Sequence, residues 1–215
     1  MTACRIGRRR LVEAEEGFTT GERTVWAKSD VIAALSAACA IAVFLFGILQ
    51  YRSSENWKRS EFVAAQIKEL NSDRINNAVF QMMDYDPAHV ELFPEKTNAK
   101  DRYVDVKLSM LVKAVGQEKD FSDAEFQIRI FFEHFLTSLS RFNYFLTSGA
   151  IEPQELCADF AYPVELMTGT ARDMKLKNTG DDIAPFAKAV HDYLTRWQYT
   201  DITEFERKIQ KACGQ

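Results

Sequence analysis

The hydrophobic pattern of the chain changes character once, at Leu49. From Val31 to Leu49, VIAALSAACAIAVFLFGIL, nineteen residues carry no charge. As a helix rising about 1.5 Å per residue, such a run covers close to the roughly 30 Å of a bilayer's hydrocarbon core. Trp26, Tyr51 and Trp57 stand near its two ends, where amphipathic rings prefer to sit. A secretory signal fits less well, because its apolar stretch is about 7 to 15 residues long and ends at a small-residue cleavage site. Here the run gives way to Gln50-Tyr51-Arg52. The next most apolar segment, Ile128 to Phe145, is interrupted by Arg129, Glu133, His134 and Arg141. The expected organisation is a polar, flexible tail over 1–29, a transmembrane helix over 30–51 and a soluble domain over 52–215.

Beyond the run, apolar residues recur at three and four, and the alternation of strands is missing, so the domain is predicted to be helical throughout. Asn56 to Leu70 places Trp57, Val63, Ile67 and Leu70 along one side. Nothing before Leu70 breaks a helix, so the span is expected to run straight into this segment and hold the domain rigidly near the bilayer. Asn71-Ser72-Asp73 offers capping chemistry for a helix from Arg74 to about Asp84, which Asp86-Pro87 ends. Pro87 to Lys100 reads as a packed loop. A helix from Asp101 to Val115 presents Val104, Leu108 and Leu111 and stops at Gly116.

Ser122-Asp123-Ala124-Glu125 is a capping box, in which serine and glutamate satisfy each other's orphan backbone donors, and it opens the longest soluble helix, Asp123 to about Thr147. Its apolar residues, from Phe126 through Phe132, Phe135 and Leu139 to Phe145, exceed a single stripe, so it must be contacted on several sides and form the centre of the domain. Pro153 starts a helix through Met167 with a bend at Pro163. Gly169 to Gly180 is a polar connector. Helices over Ile183 to Trp197 and Ile202 to Ala212 finish an all-α, bundle-like domain behind one N-terminal transmembrane helix.

The stretches WKRSEFVAAQIKELNSD (57–73), FQMMDYD (80–86), VELF (90–93) and FSDAEFQIRIFFEHFLTSLSRFNYFLTSGAIEPQEL (121–156) resemble a family of uncharacterised single-span bacterial proteins with a helical domain behind the membrane anchor. The resemblance covers most of residues 50 to 165. It implies a helical, membrane-tethered architecture in the bacterial inner membrane and supplies no catalytic residue. The tail before the span is longer and more charged than that family leads one to expect.

Composition agrees with a span plus a globular domain: 47% of residues are hydrophobic and sixteen are Phe. Of the charges, six Lys/Arg and five Asp/Glu precede Arg52, which leaves twenty-one against twenty-six and a domain near −5. A mildly acidic domain gives no electrostatic reason to expect nucleic acid. Cys4, Cys39, Cys157 and Cys213 are scattered without a C-x-x-C pairing and indicate neither a disulfide framework nor a zinc site. The positive-inside rule divides. Arg8, Arg9, Arg10, Arg23 and Lys28 stand before the span; Arg52, Lys58, Arg59 and Lys68 stand after it. The closer packing of Arg52, Lys58 and Arg59, with cysteines that look free, puts the domain on the cytoplasmic side.

Candidate chemistry is sparse. His89, His134 and His191 make no metal-binding pair, and no cofactor is expected. Arg129, Glu133 and His134 are the one candidate acid/base group, although Arg129 and Glu133 also form an i, i+4 ion pair without catalytic purpose. Two features point instead to interaction. Ala34, Ala38 and Ala42 place small side chains on one side of the span and suit a homodimer. Trp26, Tyr51, Arg52, Trp57, Lys58 and Arg59 form a membrane-interface collar whose cations suit anionic headgroups. The reading is a tethered interaction or regulatory module, with the bilayer and an unidentified protein as partners and an apolar groove beside the aromatic helix receiving a partner helix or apolar ligand. The alternatives are an enzyme acting on a membrane-associated substrate and a stress or phage-defence component of the envelope.

Overall fold

The structure, a computed structural model, describes residues 28–117, 120–170 and 182–214. Trp26, the arginines and cysteine of the tail, and most of the polar connector lie outside the described residues. The chain divides into two compact units between Arg52 and Ser53. Helix α1, Lys28–Ser72, contributes to both.

In the first unit the apolar part of α1 is uncovered. Val31, Ile32, Leu35, Ile41, Val43, Phe44, Leu45, Phe46 and Leu49 are all between 54% and 72% exposed. This helix is long and apolar enough to cross a membrane. Its hydroxyl is compatible with that, because Ser36 Oγ donates to the Ile32 carbonyl at 2.9 Å and needs no outside partner.

The second unit is a helical domain. Its elements after α1 are α2 (Arg74–Asp84), β1 (Ala88–Glu91), α3 (Ala99–Arg102), β2 (Tyr103–Val106), α4 (Leu108–Val115), α5 (Asp123–Thr147), a 3₁₀ turn (Pro153–Leu156), α6 (Cys157–Thr168), α7 (Ala184–Arg196) and α8 (Thr200–Cys213). Helix α5 is the centre. It packs against α2, α4 and α8 and buries Ile128, Phe131, Phe132, Phe135, Leu136, Leu139 and Phe142. Its start follows from local chemistry: Glu125 N donates to Ser122 Oγ at 3.3 Å and Ser122 N to Glu125 Oε2 at 2.8 Å. Aromatic rings knit the neighbours to it. Phe132 meets Phe186 of α7 edge to face at 6.1 Å, and Phe142 meets Phe160 of α6 at 4.8 Å. From α1, Val63 and Leu70 enter the core, and Phe62 packs edge-on against Phe145.

Two departures from the helical expectation matter. Residues 87–107 hold a small antiparallel ladder, β1 to β2, in the register Ala88↔Val106, His89↔Asp105, Val90↔Val104 and Glu91↔Tyr103. The expected helix from Asp101 therefore begins only at Leu108. The reason is alternation over four residues: Ala88 and Val90 are buried while His89 is exposed, stacked on Tyr103 and 2.7 Å from Asp105. The second departure concerns the cysteines. Cys157 at the start of α6 and Cys213 at the end of α8 form a disulfide, with Cα atoms 5.6 Å apart. Only Cys39 is free among the described residues.

Candidate functional site

The candidate acid/base residues sit on α5 but do not converge. Successive helical residues are about 100° apart, so Glu133 and His134 face different neighbours. Arg129 Nε lies 3.5 Å from Glu133 Oε1, and Tyr193 of α7 donates its hydroxyl to the same oxygen at 2.6 Å. The Arg129 guanidinium stacks over the Tyr193 and Phe121 rings, at 5.1 and 5.3 Å from their centres. Burial, reinforced by the bond to Glu133, holds the Tyr193 phenol well above its ordinary value. This cluster is a packed ion pair roofed by rings. His134 points instead at the α1–α2 junction, with Nε2 3.4 Å from Asp73 Oδ2.

At that junction lies a recess beside α5, about 430 Å³ in volume, between the end of α1, the start of α2 and α5. Asp73 has two tasks there. Its Oδ1 caps α2 by accepting from Asn76 N at 2.8 Å, while Oδ2 faces His134. Asn76, itself buried, donates from Nδ2 to Ser138 Oγ at 3.1 Å. At the far side Arg141 holds Glu69 by two contacts, Nη1 to Oε1 at 2.9 Å and Nη2 to Oε2 at 2.8 Å, and also donates to Gln66 Oε1 at 2.6 Å. This bidentate pairing lowers the Glu69 carboxyl and raises the Arg141 guanidinium. The recess is thus walled by charged, amide and hydroxyl groups, with Leu70 and Phe142 as its apolar floor. The recess beside the aromatic helix combines these polar groups with a lining that is mostly apolar surface. Asn76 was the missed residue, although an amide on the buried stripe of α2 beside Val79 and Met83 is legible as a polar contact.

The collar residues divide in the same way. Trp57 is 73% exposed, and Lys58 is exposed. Arg59 turns to the 3₁₀ turn, 2.8 Å from Glu152 Oε1 and 3.4 Å from Glu155 Oε1. Tyr51, Arg52, Ala34, Ala38 and Ala42 all lie on the exposed part of α1. Among the described residues no group of three or more His, Cys, Asp or Glu is placed to hold a metal ion.

The first unit holds an apolar helix long enough to cross a membrane, and the second is a helical domain. Comparison with known proteins adds no relative: no family model, no curated protein and no solved structure matches the chain.

Proposed function

We propose that the protein is a single-pass membrane protein whose helical unit works as a tethered binding module on the oxidising side of the membrane. One observation carries the anchoring: the apolar part of α1 is exposed along its whole length, and none of its most apolar window is covered by the chain. Side chains of this kind gain about 1.5–3 kcal/mol each on leaving water, so the uncovered run stores on the order of 10 kcal/mol that lipid would release. The side of the membrane is favoured by the Cys157–Cys213 disulfide, since such bonds persist outside the reducing cytosol. This reverses the orientation expected from Arg52, Lys58 and Arg59, one of which is occupied by Glu152 and Glu155. A bacterial inner membrane, as the resemblance implies, is the setting of the proposal. The recess at Asp73, His134 and Arg141, polar groups around a largely apolar lining, is the surface offered to a partner.

The anchoring is tested by extracting membranes at alkaline pH. Retention in the pellet is expected, and release into the supernatant would overturn it. Orientation is tested on a Cys4→Ser, Cys39→Ser chain, quenched in acid from living cells and treated with a maleimide polymer before and after reduction. Two additions only after reduction are expected, whereas additions without reduction would return the domain to the cytoplasm. For the recess, a photo-crosslinking residue at Thr137 should give a discrete adduct that the same residue at exposed Lys211 does not; no difference between them would count against it.

A further inference from the structure

Helix α8 carries a carboxylate on its buried stripe. Ile202, Phe205, Glu206 and Ile209 follow the i, i+3, i+4, i+7 spacing of a core-facing side, and all four are buried. Three of them are hydrocarbon. Glu206 is 8% exposed, and among the described residues its Oε1 has no hydrogen-bond partner. An unmade bond at a buried oxygen is costly, and native structures rarely keep one without a purpose.

The Glu206 side chain does not meet solid core on every side. Glu206 lines a cavity of about 350 Å³ between the end of α6, α7 and α8, whose other walls include Met167, Ala187 and Leu194. The cavity's nearby hydroxyl is already engaged: Thr168 Oγ1 donates to the Val164 carbonyl at 2.8 Å and accepts from Gln210 Nε2 at 3.1 Å. Glu206 is therefore left as the group that a guest would meet. Lys188 and His191 of α7 also border the space, and both are exposed. The Lys188 ammonium is 3.7 Å from Asp192 Oδ2.

We propose that this cavity binds a small aliphatic ammonium compound, with its N–H groups donating to the Glu206 carboxylate and its alkyl chain against Met167, Ala187 and Leu194. A primary ammonium offers the donors and the charge that suit a carboxylate bordering the cavity with no partner among the described residues. The apolar walls match a short hydrocarbon body. Lys188 of α7 sets the far end of the guest: a second ammonium would meet its charge, whereas a carboxylate would be welcome there. The ranking follows: 4-aminobutyrate binds at least as well as n-butylammonium, and 1,4-diaminobutane binds worst.

The test is calorimetric titration of the full chain in detergent micelles, disulfide intact, at pH 8, with these three probes and a sodium chloride control of equal ionic strength. Saturable binding of n-butylammonium is expected. Glu206→Gln keeps the shape and removes the charge, and should weaken it about tenfold or more, the usual worth of a charge-assisted hydrogen bond. Ala184→Leu, at an exposed position bordering the cavity, should weaken it by obstruction with Glu206 intact. Circular dichroism of both variants establishes that they are folded. Absence of saturable binding to the unmodified chain, or equal binding by Glu206→Gln, overturns the proposal.

Discussion

The sulfur of Cys157, in the first turn of α6, is bonded to that of Cys213, in the last turn of α8, across a sequence separation of 56 residues. The two helices already pack on each other through Phe160 and Phe205, whose ring centres are 5.3 Å apart. The bond therefore fastens elements that the core has brought together. Closing a loop of this length removes unfolded-state entropy worth about 4 kcal/mol in the chain-entropy account. Reduction, or the double change Cys157→Ser with Cys213→Ser, should lower the unfolding free energy by up to that amount without dissolving the helices. Melting curves followed by circular dichroism, with and without reductant, check this; an unchanged midpoint would mean that the cysteines are unpaired in solution.

Why this bond was invisible in the sequence is a matter of range. The capping box at Ser122 and Glu125 was legible because three residues contain the whole device, and α5 was legible because its aromatic residues overfill a single stripe. The pairing of Cys157 with Cys213 depends on how α6 meets α8, which no local spacing encodes. The β1–β2 ladder failed to register for another reason. AHVE and YVDV alternate over only four residues each, too few to stand out from helical periodicity, and their stability comes from pairing with each other. Glu206 was within reach, because a carboxylate flanked by Ile202, Phe205 and Ile209 sits on the wrong side of an amphipathic helix. The divergence of Glu133 and His134 was equally available, since adjacent residues on a helix cannot share a face.

Tyr193→Phe removes the hydroxyl that reaches Glu133 but leaves the ring stacked 6.0 Å from Tyr199 and under the Arg129 guanidinium. The expected cost is about 1 kcal/mol, typical of a net hydrogen bond with a partly solvated acceptor. Glu133 keeps Arg129 in the variant, so no buried charge is stranded. A loss of several kcal/mol in chemical denaturation would show that the cluster is more tightly coupled than its geometry indicates.

Gly169→Ala should be expensive for two reasons acting at once. Gly169 closes α6 with φ of 64°, a conformation that favours glycine, and a Cβ there would stand 2.9 Å from the Cβ of Ala187. Strain of this backbone type costs of order 1–3 kcal/mol, with the contact against α7 in addition. Gly149, at φ of 73°, has nothing within 4 Å of such a Cβ. Gly149→Ala should therefore cost only the conformational part, and the difference between the two melting midpoints isolates the approach of α6 to α7.

Glu206 makes the domain's stability depend on pH in a direction opposite to that of most carboxylates. Burial pushes its carboxyl from 4.5 up to about 7, and desolvation is the cause. Between those values the folded chain holds a proton that the unfolded chain has released, so stability falls as pH rises from about 4.5 to about 7 and levels off above. At about 1.4 kcal/mol per unit the full effect is on the order of 3 kcal/mol. Lys188 and His191 of α7 border the same cavity, so the measurement is a comparison with the variant and not a single curve. Melts of the unmodified chain and of Glu206→Gln at pH 5 and pH 8 should show the variant gaining relative stability at pH 8, with little difference or a slight deficit at pH 5. Parallel shifts of the two proteins would mean that the carboxyl titrates as it does in water, and that the cavity beside it is open to solvent.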